Sequence, residues 1–196
     1  MFTPHPRFLA KLRQQAEFSD AELAEFLQCW EARRIKKKEY YLRPGDVCRA
    51  TAYVNKGCFR RFEIGENNKE NILNFALEDW WIGDLESFWN QTPGRFYIQA
   101  LEDSELLLIS REEFNRACER YPKYKAFHEE KMHRSHFATL KRMTVATSGS
   151  AEEKYLLLAK EQPQLFQRVP LHYIASYLGI EPESLSRLRR KLAGKP

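Results

Sequence analysis

At Ser110 the chain changes hydrophobic period, and with it the kind of structure it can build. Before that point, Glu39–Leu42, Ala50–Asn55, Cys58–Ile64, Asn71–Ala76, Arg95–Leu101 and Glu105–Ser110 are short runs rich in β-branched and aromatic residues. Turn signals separate them: Arg43-Pro44-Gly45-Asp46, Asn55-Lys56-Gly57, Gly65-Glu66-Asn67-Asn68 and Thr92-Pro93-Gly94. Short strands punctuated in this way predict an antiparallel sandwich, a double-stranded β-helix or jelly roll. A helix is expected ahead of it, capped by Ser19 with Glu22 completing a capping box and with Leu23, Phe26, Leu27 and Trp30 on its apolar stripe. Beyond Ser110 the pattern is helical. Arg111–Arg120 stops before Pro122, and Tyr124–Thr147 carries Phe137, Leu140 and Met143 at three-residue steps. So sparse a stripe on so long a helix calls for a partner, and these three residues are the expected dimerisation seam. Ser148 and Gly149 should end the helix, and Ser150 with Glu153 should open another over Ala151–Lys160. The class is α+β.

A second pattern lies in Leu171–Leu192. Leu171, Ile174, Ala175 and Leu178 fall at i, i+3, i+4 and i+7, and Gly179 supplies a helix-ending turn. Ile180 can plug a small core, Pro182 suits a first helical turn, and Leu185, Leu188 and Leu192 line the inner side of a second helix. This is helix-turn-helix spacing. Ser184, Arg187, Arg190 and Lys191 are expected outside, joined by Arg189 and Lys195, with only Glu181 and Glu183 as nearby acids. A helix of this sort reads base edges from its N-terminal half, which selects Glu183, Ser184 and Arg187; Arg189, Arg190, Lys191 and Lys195 would hold phosphates. The plainer alternative is a solvated helix whose basic residues complement its own dipole.

Composition is consistent with both patterns. Thirty-two basic against 27 acidic side chains give a net charge of +5, a modest help toward a polyanion, and 43% hydrophobic residues suffice for a core. No run of about 18 apolar residues is present to cross a bilayer, and Met1–Gln15 lacks the apolar centre of a signal peptide, so no membrane partner and a cytoplasmic location are expected. Cys29, Cys48, Cys58 and Cys118 have no C-x-x-C spacing and read as reduced packing residues.

Together these segments resemble the CRP/FNR family of bacterial transcription regulators, in which a cyclic-nucleotide-binding-type jelly roll joins a DNA-binding domain through a dimer helix. The resemblance rests on Tyr41-Leu42-Arg43-Pro44-Gly45-Asp46, Tyr53-Val54-Asn55-Lys56-Gly57, Gly83-Asp84-Leu85-Glu86-Ser87, Ile174-Ala175-Ser176-Tyr177-Leu178-Gly179-Ile180 and Glu183-Ser184-Leu185-Ser186-Arg187, in that order. The terminal motif looks like the Bacteroidetes branch. The resemblance implies a sensor β-roll with flanking helices over 1–120, a dimerisation helix and hinge over 121–149, and a DNA-binding domain over 150–196. It also implies double-stranded DNA, a second copy of the chain and RNA polymerase as partners, an unknown small-molecule effector, and no cofactor.

The resemblance is not uniform. In the family's reading helix an acid and an arginine four places later contact bases, and Glu183 and Arg187 match them, but Pro182 stands where an arginine is common. A β-hairpin wing would follow Leu192, and the four residues there are too few, so the helix-turn-helix is expected to lack a full wing. Members that bind cyclic AMP hold its ribose with a Gly-Glu pair and its phosphate with an arginine followed by small residues. Gly83-Asp84-Leu85 offers a shorter acid, and in Thr92-Pro93-Gly94-Arg95-Phe96 the arginine falls one place late with bulky Phe96 after it. Cyclic AMP is therefore not the expected effector. Trp80, Trp81, Phe88 and Trp89 surround this segment in sequence, either shaping an apolar ligand pocket or serving as plain core.

Two other classes share parts of this pattern. Cupin enzymes share the jelly roll and bind metal through strand histidines, but this roll has none; His133 and His136 are one helical turn apart without a third ligand, so no metal site and no catalytic residue are expected. No G-x-S-x-G, P-loop or G-x-G-x-x-G occurs either. The remaining alternative is a non-catalytic ligand- or protein-binding module without specific DNA binding.

Overall fold

The computed structural model describes residues 4–193, less the side chains of residues 134–136, 138, 141–148 and 193. In chain order the elements are α1 (Pro6–Gln15), α2 (Asp20–Phe26), β1 (Glu31–Ile35), β2 (Tyr40–Leu42), β3 (Ala50–Lys56), β4 (Phe59–Ile64), β5 (Glu70–Ala76), β6 (Trp81–Ile82), α3 (Leu85–Asn90), β7 (Tyr97–Ala100) and β8 (Ser104–Ser110). They continue with α4 (Arg111–Arg120), α5 (Pro122–Ser148), α6 (Ala151–Glu161), α7 (Leu165–Arg168), α8 (Leu171–Leu178) and α9 (Pro182–Ala193). The change of period at Ser110 is real and is enforced locally: the Ser110 side chain accepts the Glu113 amide and so caps α4 directly at the end of β8.

The strands form two four-stranded sheets, ordered β1-β8-β3-β6 and β2-β7-β4-β5. Register is specific. Ala50–Val54 run antiparallel to Ser110–Leu106, and Phe59–Phe62 run antiparallel to Ala100–Tyr97. This is a β sandwich with flanking helices, open at its edges rather than closed into a barrel.

The described residues fall into two compact units, one built from the residues up to Phe62 with Phe75–His133, the other from Glu63–Asn74 with the residues from Arg134 on. The first unit is filled by Phe59, Ile98, Ala100, Leu106, Leu107 and Ile109 from the sheets and by Phe8, Leu12, Phe26, Phe114 and Tyr124 from the helices, all buried. Its helical side is an aromatic layer. Phe26 lies 4.6 Å from Tyr124, Phe8 lies 4.5 Å from Tyr53, and His128 lies 4.7 Å from Phe114. Offset and edge-on geometries of this kind add to area burial. The predicted capping box at Ser19 and Glu22 forms, and Lys123 at the start of α5 donates to both Glu22 oxygens at 2.8 Å, which with the cap bonds draws the Glu22 carboxyl down to about 2.

In the second unit the buried apolar residues, among those described, are Ile72, Leu158, Leu165, Val169, Ile174, Ala175, Leu178 and Leu185. The capping box at Ser150 and Glu153 starts α6 where the sequence placed it. Gly179 takes φ +68°, the left-handed conformation that a residue with a β-carbon avoids. That turn lets the Ile180 amide reach the Ala175 carbonyl at 3.0 Å and closes α8 before α9 begins.

Candidate nucleic-acid interface

Leu185 is fully buried and Leu188 and Leu192 are half-buried, which fixes the inner side of α9. Side chains three, four and seven apart share a helix face. The opposite stripe is therefore Glu183, Ser186, Arg187 and Arg190, all exposed. With Pro182 they line an open concavity of about 460 Å³. The expected residues Glu183, Arg187 and Arg190 thus come together. Ser184 and Arg189 do not join them: both are half-buried and flank the leucine side from opposite directions. Ser184 acts on its neighbour instead, its Oγ accepting from an Arg187 guanidinium nitrogen at 3.2 Å. Lys191 is exposed but bonded to Glu152 of α6 at 2.9 Å. Lys195 lies outside the described residues.

Ser186 shares this stripe, a place that the charge pattern of the sequence does not point to. Its signal was its spacing, three after Glu183 and four before Arg190. Charge drew attention to the arginines, although a hydroxyl is also a base- and phosphate-contacting group.

In the sandwich the altered cassette is occupied by the protein's own bonds. Asp84 is buried; its Oδ1 accepts the Ser87 amide at 3.1 Å and caps α3, while its Oδ2 accepts the Arg95 amide at 3.3 Å. A β-carbon on Gly94 would stand 2.8 Å from Asp84 Oδ2, so any other residue here would push the Asp84 carboxylate from its place. Gly94 also donates to the Asp46 carbonyl at 2.8 Å and accepts from the Gly45 amide at 2.9 Å. Asp84 therefore serves as a helix cap and a clasp for residues 94–95. A β-carbon on Gly83 would meet Cys48 and Thr51 at ordinary contact distance, and Leu85 is exposed on α3.

Arg95 is exposed, with its guanidinium 4.8 Å from the centre of the Phe96 ring. A second arginine flanks the same ring: Arg61 of β4 lies 5.0 Å from it and donates to the Gly83 carbonyl at 3.3 Å. Cations at these distances are attracted to the ring face. Arg61 was absent from the expected set, although the charged pair inside Phe59-Arg60-Arg61-Phe62 marks a strand whose faces both carry polar work. The tryptophans do not gather around Gly83. Trp81 packs with Trp30, Tyr53 and His128, Phe88 and Trp89 pack on Phe114, and Trp80 is exposed. Phe88 and Trp81 thus serve the core, whereas Trp80 and Trp89 are exposed.

On α5, Tyr124 and Phe127 are buried, whereas Phe137 is 68% and Leu140 46% exposed in the single chain. The Met143 side chain lies outside the described residues. No group of three or more histidine, cysteine or acidic residues able to hold a metal is found among the described residues, and no helix among them is long and apolar enough to cross a membrane.

Residues 32–121 match the family described as the cyclic nucleotide-binding domain. No curated protein matches the chain. Among solved structures, the c-di-GMP responsive global regulator CLP of Xanthomonas campestris is 17% identical over 89% of this chain and 92% of that one, with a TM-score of 0.70. FixK2 of Bradyrhizobium japonicum is 15% identical over 84% of each chain, TM-score 0.67. The catabolite activator protein of Thermus thermophilus is 20% identical over 90% of this chain and 84% of that one, TM-score 0.57. The fold is thus a cyclic nucleotide-binding β sandwich with flanking helices of the kind found in catabolite-activator-like regulators.

Proposed function

We propose that the protein is a dimeric, DNA-binding transcription regulator of the CRP/FNR type, cytoplasmic and non-catalytic, in the Bacteroidetes-like branch that its terminal motif resembles. Residues 1–120 form its sensor, 121–149 its dimerisation helix and hinge, and 150–196 its reading head, with RNA polymerase as the downstream partner. The observation that carries this reading is the α8–turn–α9 unit, closed by Gly179 and presenting Glu183, Ser186, Arg187 and Arg190 on one solvent-facing stripe. Arginine there suits bidentate contact with guanine, and the flanking cations suit phosphates. Cyclic AMP is not its effector, because the acid that would take the ribose is turned to capping α3 and clasping residue 95.

Recovery of DNA crosslinked to the native protein tests the function: a near-palindromic motif with half-sites about one helical turn apart is expected. Recovery no different from bulk DNA would refute it. The dimer is tested by Leu140→Glu, which should yield monomers in sedimentation and weaken operator binding at least tenfold, since a charge at a two-fold seam is repeated by its mate. A variant that still sediments as a dimer places the seam elsewhere.

A further inference from the structure

The second unit contains a contact that the reading of α9 does not use. Strand β5 closes one side of its sheet, so one of its backbone edges has no neighbouring strand. Residues two apart on a strand direct their N–H and C=O groups to the same edge. Glu70 and Ile72 are such a pair, and a single side chain from α8 serves both. Ser176 Oγ donates to the Glu70 carbonyl at 2.7 Å and accepts the Ile72 amide at 3.1 Å. The hydroxyl stands where a neighbouring strand would place its own backbone.

The same hairpin meets the start of the reading helix. Lys69 Nζ lies 3.9 Å from Glu181 Oε1, with both side chains largely exposed. A pair so exposed contributes little energy. Its value is positional: the β4–β5 turn lies alongside the N-terminal end of α9, the end that faces base edges in a helix-turn-helix complex.

Charge then decides what the contact does. Residues 63–74 carry Glu63, Glu66 and Glu70 against Lys69 alone. Lys69 is already paired with Glu181, so phosphates drawn to the first turns of α9 would meet a hairpin whose remaining charge is acidic, in a field that reaches about 8 Å at physiological salt. Like charges at that range oppose one another, so the docked arrangement and the DNA-bound one are mutually unfavourable. We propose that Ser176 is a latch: it pins α8 to the edge of β5 and holds the helix-turn-helix beside an acidic hairpin in an arrangement that duplex DNA must displace. The idea rests on the DNA-binding function proposed above. A ligand that binds only the released arrangement has its apparent affinity reduced by the fraction released, and weakening the latch restores it.

The test uses the full-length protein, fluorescence anisotropy with a random-sequence duplex at low and physiological salt, and amide exchange followed residue by residue. In Ser176→Ala the Ile72 amide loses its acceptor and should exchange at least tenfold faster, while the Ile174 and Leu185 amides inside the helical core keep their protection. Affinity for the duplex should rise about three- to tenfold, the range expected from losing two hydrogen bonds that are each modest in net terms. Ser176→Asp, which sets a carboxylate against the Glu70 carbonyl, should move both readouts further. If Ile72 is deprotected and affinity is unchanged or lower, the docked arrangement does not compete with DNA and the proposal falls. It falls equally if Ile72 stays protected in both variants. Those failures differ from failure of the underlying function, in which neither the native protein nor any variant binds duplex at low salt and the latch falls with it.

Discussion

Arginine plays opposite parts in the sandwich and on α9. Arg60 is buried on β4, directly across from Gln99 of β7; it donates through Nε to the Gln99 side chain at 2.9 Å and lies 4.1 Å from the centre of the Phe62 ring. Arg61 and Arg95 both lie within 5.0 Å of the centre of the Phe96 ring. On α9, Arg187 and Arg190 face solvent, and Arg187 is braced only by a hydroxyl one turn back. The guanidinium of Arg60 is turned inward to hold one unit together, and those of Arg187 and Arg190 are kept outward in the other. The difference lies in the period of the carrier: a strand between two others gives every arginine a cross-strand neighbour, whereas a helix with one leucine side leaves a whole face unclaimed.

The comparison breaks most readily at Arg60. Arg60→Ala strands the Gln99 carbonyl oxygen and removes packing from Phe62, and should cost about 2–4 kcal/mol in chemical denaturation while leaving the DNA affinity of the folded fraction unaltered. A variant as stable as the parent would mean that the buried guanidinium is dispensable. Arg187→Ala should do the reverse. It should leave the melting temperature in place and reduce discrimination between operator and random DNA by roughly 1–3 kcal/mol. Lys191→Ala should weaken all sequences alike and lower the salt slope by about one unit, because Lys191 lies off the exposed stripe beside Glu152. Equal loss of selectivity in both variants would erase the distinction between reading and gripping.

A smaller effect separates the units by pH. Burial among Trp81, Phe114 and Tyr124 pulls the His128 imidazole below its ordinary value of 6.5. The unfolded chain then takes up this proton before the folded one does. Stability from His128 is therefore present above about 6.5 and lost progressively as pH falls from there through the lowered folded value. His128→Leu should flatten part of the decline in melting temperature between neutral and mildly acidic buffer; an identical decline in the variant would assign it to other groups. The smallest effect is a null one. Millimolar cyclic AMP should leave the melting temperature unmoved, since a ligand binding only the folded state must raise it. An upward shift would show that Arg95 can leave Phe96 for a phosphate.

How much of this was legible in the sequence follows from where each element gets its stability. Helices that carry their own caps were readable at the capped end: the start of α2 from Ser19 and Glu22, the start of α6 from Ser150 and Glu153, the end of α8 from Gly179. Trp30, expected on the stripe of α2, instead takes extended backbone, because α2 stops at Phe26 and only a 3-10 turn over Leu27–Cys29 follows. Strands with apolar alternation or apolar runs were readable too. β1 was not, because Glu31-Ala32-Arg33-Arg34-Ile35 buries only Ile35 and exists by pairing with Leu108–Ser104. β6 is two residues held against Ala52 and Tyr53, and α3 is a short helix set by the Asp84 cap. β7 begins at Tyr97 rather than Arg95 because residues 94–95 are tied to Asp46 and Asp84. On α9 the leucine spacing located the outer stripe, but only packing showed that Arg189 and Ser184 turn away from it. Arg61 required the fold, since nothing local to β4 says that Gly83 and Phe96 will lie opposite.

The Ser176 contact also bears on how the protein behaves at high concentration. An uncovered sheet edge is a template for a strand of another molecule, and this one has Ile64 and Leu73 exposed at 48% and 37% on its two hairpin strands. While α8 sits there, two of the edge's backbone groups are already satisfied. A chain whose α8 has left this edge would show those groups to every neighbour. Solubility and release of α8 would then be in tension, and the like charges of Glu63, Glu66 and Glu70 would set two such edges against each other.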